Sequence, residues 1–335
     1  MGKTIAEKII ARAAKEPEVR PGDIVWADVD RAMMDDILGP RIQIAEQLKE
    51  LGKPVWDPDK VVIISDHYTP PASIHQAEIV KFTREWAADN GIQKYYEFEG
   101  PCHQVLAETG NVRPGMVVLG TDSHTCMGGA LNAFASGVGS TEMLGILVTG
   151  KTWLKVPETV RVLWEGELSA NVMAKDISLR TIGTVGHAGA TYMSVEYDGQ
   201  TIRGLPVDER MAITNMAVEM GAKAGLMPFD DITEAYLDSI GVKDYEPYQS
   251  DADASFYRTY QFRAEELRPQ VACPHEVDRV TEADNVRDVK IQQAYLGSCT
   301  GGRLHDLKTA AAYLKGKKVA PGVRLLVSPA SRSIW

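Results

Sequence analysis

The 335-residue chain holds no apolar run approaching the roughly 20 residues that cross a bilayer, which argues against a membrane-spanning helix. Cysteine is scarce: Cys102, Cys126, Cys273 and Cys299 are the only four. None sits in a Cys-x-x-Cys spacing, so neither a zinc knuckle nor a dithiol pair can be read. Four scattered thiols suit a reducing compartment, where a lone cysteine serves as a small core hydrophobe. Basic residues are also outnumbered: 36 Lys and Arg against 46 Asp and Glu leave a formal net charge of -10. That balance, with no basic aromatic-rich patch, argues against nucleic acid and acidic membranes as partners. It still permits a small anionic ligand. Met1–Lys8 carries charge where a signal peptide needs an apolar core, and Ala6 breaks the myristoylation pattern. The expected location is the cytoplasm.

What is present is an ordinary globular composition, 44% hydrophobic and 24% charged, in a chain long enough for two or three domains. Strand and helix signals alternate through residues 1–150, the pattern of an α/β layer. Strands are expected at 23–29, 61–64 and 116–119, with a loop at 33–40. Helices are expected at 43–51, after the capping pattern Ser73-Ile74-His75-Gln76, and from His103 to Gly110. A second α/β unit is expected over 151–285, with strands at 160–164 and 190–197 and helices at 174–182 and 211–222. Residues 228–285, acidic and Pro-punctuated, read as long connections. A third α/β unit starts at 286 and stops in mid-domain, the reading expected of a truncated chain.

Chemistry concentrates at strand exits. Met116-Val117-Val118-Leu119 reads as a buried strand that ends in Gly120-Thr121-Asp122-Ser123-His124. Open α/β sheets bind ligands at such carboxyl ends. Val61–Ile64 leads similarly into Ser65-Asp66-His67, where an aspartate beside a histidine suits a general acid or, more blandly, a turn. Cys102-His103 opens a helix, whose positive end favours a neutral, hydrogen-bonding ring unless a carboxylate opposes it. Asp122, Ser123 and His124 together fit acid–base and substrate-orienting work better than a Ser/His/Asp hydrolase, since no Gly-x-Ser-x-Gly elbow exists. Cys299, in Gly297-Ser298-Cys299-Thr300-Gly301-Gly302 between strand and helix, suits either a metal ligand or a nucleophile. Glu196 near a strand end, and Arg303 and Arg332 as carboxylate binders, are weaker candidates.

Gly145-Ile146-Leu147-Val148-Thr149-Gly150-Lys151-Thr152 matches the phosphate-loop pattern letter for letter. Its intervening residues are bulky and apolar and finish a helix rather than open one, so a nucleotide site is not expected.

In this order, Asp66-His67, Cys102-His103-Gln104, Gly120–Thr125, Gly189-Ala190-Thr191, Glu196-Tyr197 and Gly297–Thr300, the chain resembles the aconitase superfamily, specifically the large subunits of the 3-isopropylmalate dehydratase and homoaconitase type. The resemblance implies a multi-domain α/β/α architecture with mixed and parallel sheets. It implies reversible dehydration of a hydroxy-polycarboxylate, most directly 3-isopropylmalate in leucine biosynthesis, with homoaconitate, citrate and methylated malates as rivals. It assigns His67, backed by Asp66, to protonating the leaving hydroxyl, and pairs His103 with Asp122 and His124 with Glu196. It assigns Ser123 to substrate, and Cys299 to a [4Fe-4S] cluster whose other two cysteine ligands lie beyond this chain, so little stable cluster is expected here. A separate small subunit would supply the serine base, leaving this chain inactive alone. Departures from the family's commoner text fall at Met34–Pro40, at Met127-Gly128 and at Gly301. The superfamily also includes an RNA-binding branch, which the acidic balance disfavours.

Overall fold

The computed structural model describes residues 2–335. Helix α1 (Ile5–Ala14) starts from a capping box: Thr4 Oγ1 accepts from the Glu7 amide and the Glu7 carboxylate accepts from the Thr4 amide. Then come β1 (Ile24–Asp28), β2 (Arg31–Met34), α2 (Ile42–Leu51), β3 (Val61–Ser65), α3 (Ile74–Asp89) and β4 (Tyr95–Glu97). After α4 (Cys102–Glu108) and β5 (Val117–Gly120), a 3-10 stretch covers Ser123–Leu131. β6 (Phe134–Gly137), α5 (Ser140–Thr149) and β7 (Lys151–Lys155) follow, and β7 runs antiparallel to β1.

The first sheet has the order β4-β3-β2-β5-β6, and all of its pairs are parallel. Its middle strands β2, β3 and β5 are buried throughout, which is why Val61–Ile64 and Val117–Leu119 are continuous rather than alternating apolar runs. The chain steps from β2 outward to β3 and β4, then returns to the other side of β2 for β5 and β6. The crevice between the ends of β2 and β5 is therefore the point where the winding reverses, the place such sheets bind ligands.

The second sheet is built from β8 (Thr159–Glu165), α6 (Ala174–Val185), β9 (Ser194–Asp198), α7 (Gln200–Gly204), α8 (Val207–Asn215), β10 (Ala224–Leu226), α9 (Asp231–Ser239) and β11 (Arg258–Arg263). Its order is β10-β9-β8-β11, again parallel, around a core in which the Trp164 and Phe262 rings stack at 4.5 Å. A hairpin, β12 (Gln270–Ala272) with β13 (Val280–Glu282), leads to the last unit. There β14 (Gln293–Leu296) pairs parallel with β15 (Arg324–Val327), joined by α10 (Leu304–Leu314).

Two glycines let these parts meet. A Cβ at Gly129 would lie 1.5 Å from the Gly225 carbonyl, so only glycine lets the 3-10 stretch reach the second sheet. Gly100, at φ 134°, would clash with Ala330 and Ser331, where the final residues cross the loop before α4.

Three sequence expectations are corrected. Residues 31–34 form β2 rather than leading into a loop. β6 was unexpected, because Phe134-Ala135-Ser136-Gly137 is too short and small to show a period. Within 228–285 lies β11, an edge strand whose mixed Arg258–Arg263 text hides it among connections. At the decoy motif, α5 ends at Thr149, Gly150 takes the left-handed C-cap, and Lys151 starts β7, so no loop leads into a helix there.

Candidate active site

β5 delivers the central group. At its end Asp122 caps the following 3-10 stretch, accepting from the His124 amide at 2.7 Å, which fixes the carboxylate beside the strand exit. Three imidazoles gather around it. His103 Nε2 lies 3.1 Å from Asp122 Oδ1, His67 Nε2 lies 3.4 Å from Oδ2, and His124 Nδ1 lies 3.6 Å from Oδ1. These rings come from the exits of β3 and β5 and from the start of α4. The His103 and His124 ring centres are 6.1 Å apart.

Each ring has a further partner. His67 Nδ1 is 2.8 Å from Asp66 Oδ1 and 3.6 Å from Asp36 Oδ1. Asp66 also accepts from the Cys102 amide at 2.6 Å, so one carboxylate anchors both the His67 ring and the start of the helix that carries His103. Asp36, at the end of β2, accepts from the amides of His67 and Tyr68. Its neighbour Asp35 holds the loop shape by accepting from the Ile37 and Leu38 amides and from Thr121 Oγ1. His124 Nε2 is 3.3 Å from Glu219 Oε1, and its Nδ1 is 3.2 Å from Ser123 Oγ.

Carboxylates at both nitrogens make His67 an imidazolium: Asp122, Asp36 and Asp66 push its pKa up to about 12 against the cost of burial. Asp122 and Glu219 raise His124 to about 10. Burial opposes ionisation of Asp122, yet bonds to His103, His124 and His67 hold it well below the usual carboxylate range. Glu219 is lowered by His124. The cluster is one shared network of protons around a fixed anion. Three sets in it, Cys102/His103/Asp122, Asp35/His67/Asp122 and Asp36/Asp66/His67, group ligand types that suit a metal ion.

Beside the network is a cleft of about 450 Å³, lined among others by His67, Asp122, Ser123, Leu38, Val218 and Lys223. Cys299 lies in the turn after β14, half-buried and near enough to His124 and Lys175 for a thiolate there to raise both. Lys175 donates to Thr300 Oγ1 at 2.5 Å, tying this turn to α6.

Two sequence expectations need correction. Glu196 does not pair with His124. It is buried in β9, where it accepts from Ser250 Oγ at 2.6 Å, and burial pushes its pKa up. The carboxylate on His124 is Glu219, from the 3-10 turn after α8; strand-end reasoning missed it because its position depends on how the second unit packs. Arg303 does not reach the cleft. It is fully buried, its Nε donating to Gln104 Oε1 at 2.9 Å and its Nη2 to Met127 Sδ at 3.1 Å. α10 starts against α4 and the 3-10 stretch, and that contact draws the guanidinium inward. Asp35, Asp36 and Asn215 were also missed; the paired aspartates ending an apolar run were the available signal. Asn215 is buried with neither amide atom hydrogen-bonded, one turn before Glu219 and against Cys126, whose thiol donates to the Asn215 carbonyl.

Comparison with known proteins identifies a family. The chain matches the aconitase family (aconitate hydratase) over residues 7–288 and 279–335. It is 47% identical to the 3-isopropylmalate dehydratase large subunit 1 of Methanopyrus kandleri, over 100% of this chain and 80% of that one. It is 46% identical to a probable methanogen homoaconitase large subunit of Methanothermobacter thermautotrophicus, over 99% and 78%. Among solved structures it is similar to holo aconitase X of Thermococcus kodakaraensis, with a TM-score of 0.52, 14% identity, and coverage of 92% of this chain and 72% of that one, a likeness of fold alone. The α/β chain with three imidazoles on one aspartate thus belongs to the aconitase family of hydro-lyases.

Proposed function

We propose that this chain is the large subunit of a two-subunit dehydratase acting on 3-isopropylmalate, in the cytoplasm, with a [4Fe-4S] cluster and a small subunit that supplies the base. The observation that carries the reading is Asp122 in contact with three imidazoles at the winding reversal of a parallel sheet. The names of the relatives support the substrate and the small subunit. Four free cysteines are in keeping with the location, and among the described residues no helix is long and apolar enough to cross a membrane.

The residues present fit one of the cluster's thiolate positions. Cys299 offers a thiolate ligand beside His124, and the unpartnered Asn215 amide is the kind of buried donor that a sulfide or thiolate would satisfy. When bound, the cluster supplies a Lewis acid for the substrate's hydroxyl and carboxylate oxygens. The protein's own residues do the rest. His67 carries the proton that leaves with the hydroxyl as the carbon–oxygen bond breaks. A donor held near pKa 12 is a weak acid in water, but hydroxide is far more basic, so the transfer still runs downhill. Asp122 keeps His67 and His124 charged and orients all three rings, Glu219 orients His124, and Ser123 at the cleft wall binds substrate. The proton on the neighbouring carbon passes to the small subunit's serine.

The test is to assemble the large subunit at the length of its relatives, of which this chain spans 80%, with its small subunit, iron and sulfide, and follow absorbance of the unsaturated product. Dehydration of 3-isopropylmalate is expected. Turnover of homocitrate or citrate alone would reassign the substrate, and no product from any substituted malate would overturn the reading.

A further inference from the structure

The charged groups lining the cleft are nearly all engaged. His67 and Asp122 hold each other, Asp35 accepts from Thr121 and two amides, and Glu142 accepts from the Gly139 amide at the start of α5. Lys223 is different. It stands just before β10, half-buried, and its Nζ reaches the Gly137 carbonyl at 3.4 Å and faces the Tyr192 ring at 5.6 Å. Glu142 is the charged group that acts on it, and no hydrogen bond joins them. An ammonium withdrawn from water without a bonded carboxylate costs free energy that the fold does not recover.

Its position gives that cost a use. Gly137, whose carbonyl it touches, lies against Ser123: a Cβ there would come within 2.8 Å of the Ser123 Cα. Lys223 is therefore one residue's width from the serine beside Asp122, on the same cleft. The neighbouring wall is apolar, formed by Ile37, Leu38, Val138 and Val218. Leu38 is 43% exposed, an apolar surface awaiting contact.

We propose that Lys223 is a substrate-binding residue that takes the carboxylate farthest from the departing hydroxyl, beside an apolar wall that receives an alkyl branch. The inference rests on the dehydratase reading.

The experiment compares wild type, Lys223→Met and Lys223→Arg in the assembled, iron-loaded enzyme, and measures 3-isopropylmalate binding to the cofactor-free chain by calorimetry. Lys223→Met should raise KM about 10- to 100-fold, the worth of a hydrogen bond to a charged group, with kcat within about threefold. Calorimetric affinity should fall in parallel, and Lys223→Arg should recover most of both. Replacing that carboxylate of the substrate by a carboxamide should erase the difference between wild type and Lys223→Met. If wild type is active while Lys223→Met binds and turns over normally, the role of Lys223 is overturned and the dehydratase reading stands. If Lys223→Met loses kcat and Lys223→Arg does not restore KM, the lysine is structural and the inference fails. If wild type dehydrates no substituted malate, the functional reading falls first, and this inference with it.

Discussion

The two parallel sheets are built alike, and they differ in what their strand-end carboxylates face. At the ends of the first sheet Asp36, Asp66 and Asp122 face imidazoles. At the end of β9 in the second sheet, Asp198 faces Arg203 Nε at 2.7 Å and Arg161 at 3.4 Å. An arginine keeps its proton throughout the accessible pH range, so that cluster can only hold the fold together. An imidazole can give its proton up and take it back. A carboxylate beside it therefore sets a proton's energy instead of merely fixing a charge.

The strongest way to break this contrast is Asp122→Asn. Dehydration should fall about 10³-fold, within the range expected for a lost acid–base device, while the purified chain keeps a cooperative melt. A loss of less than tenfold would show that the shared carboxylate is not the centre of the site.

A sharper cut comes from the two glutamates of the second unit. Glu219→Gln should lower activity about 10- to 100-fold, as losing an orienting partner does, and reduce the His124 pKa seen by NMR titration. Glu196→Gln, which keeps the size and the Ser250 contact, should leave turnover of the folded enzyme within about threefold. The reverse ranking would restore Glu196 to the site.

Stability against pH reads the same difference without catalysis. Folding raises His124 to about 10 and His67 to about 12, from about 6.5 when unfolded. The folded state binds more protons in that interval, so the stabilisation is complete below about pH 6.5 and is lost as pH rises, through about 10 for His124 and about 12 for His67. Melting temperature should decline from pH 7 to 10, and His124→Asn should flatten part of that decline. Asp122 has the opposite sign: its contribution is present above its unfolded pKa near 3.9 and is lost as pH falls below it. The smallest effect is expected at the second sheet. Arg203, half of whose side chain is in solvent, should cost at most about 1 kcal/mol as Arg203→Ala in denaturant melts, with unchanged turnover.

Much of the first sheet was legible because its signals are local. Val61–Ile64 and Val117–Leu119 are unbroken apolar runs that stop at polar residues, and burial on both faces of a parallel sheet demands that text. Asp66 beside His67, and Asp122 two residues before His124, were visible as neighbours. The second unit hid more. β11 lies 98 residues along the chain from its partner positions in β8, in the register Arg258 to Val160 through Arg263 to Glu165, and no periodicity links segments so far apart. Glu219 was passed over for the same reason: His124 and Glu219 are 95 residues apart, and only the packing of α8 on the 3-10 stretch joins them.

By itself the sequence determined which segments are buried strands and which strand ends carry acids, imidazoles and the thiol of Cys299. These follow from hydrophobic burial and backbone geometry within a few residues. The tertiary structure alone decided which carboxylate each ring meets, that one aspartate serves three rings, that Arg303 turns inward, and that Lys223 lines the cleft. Those are contacts of a few ångströms between distant segments, and their energies depend on the position and desolvation of both partners, which residue order does not carry.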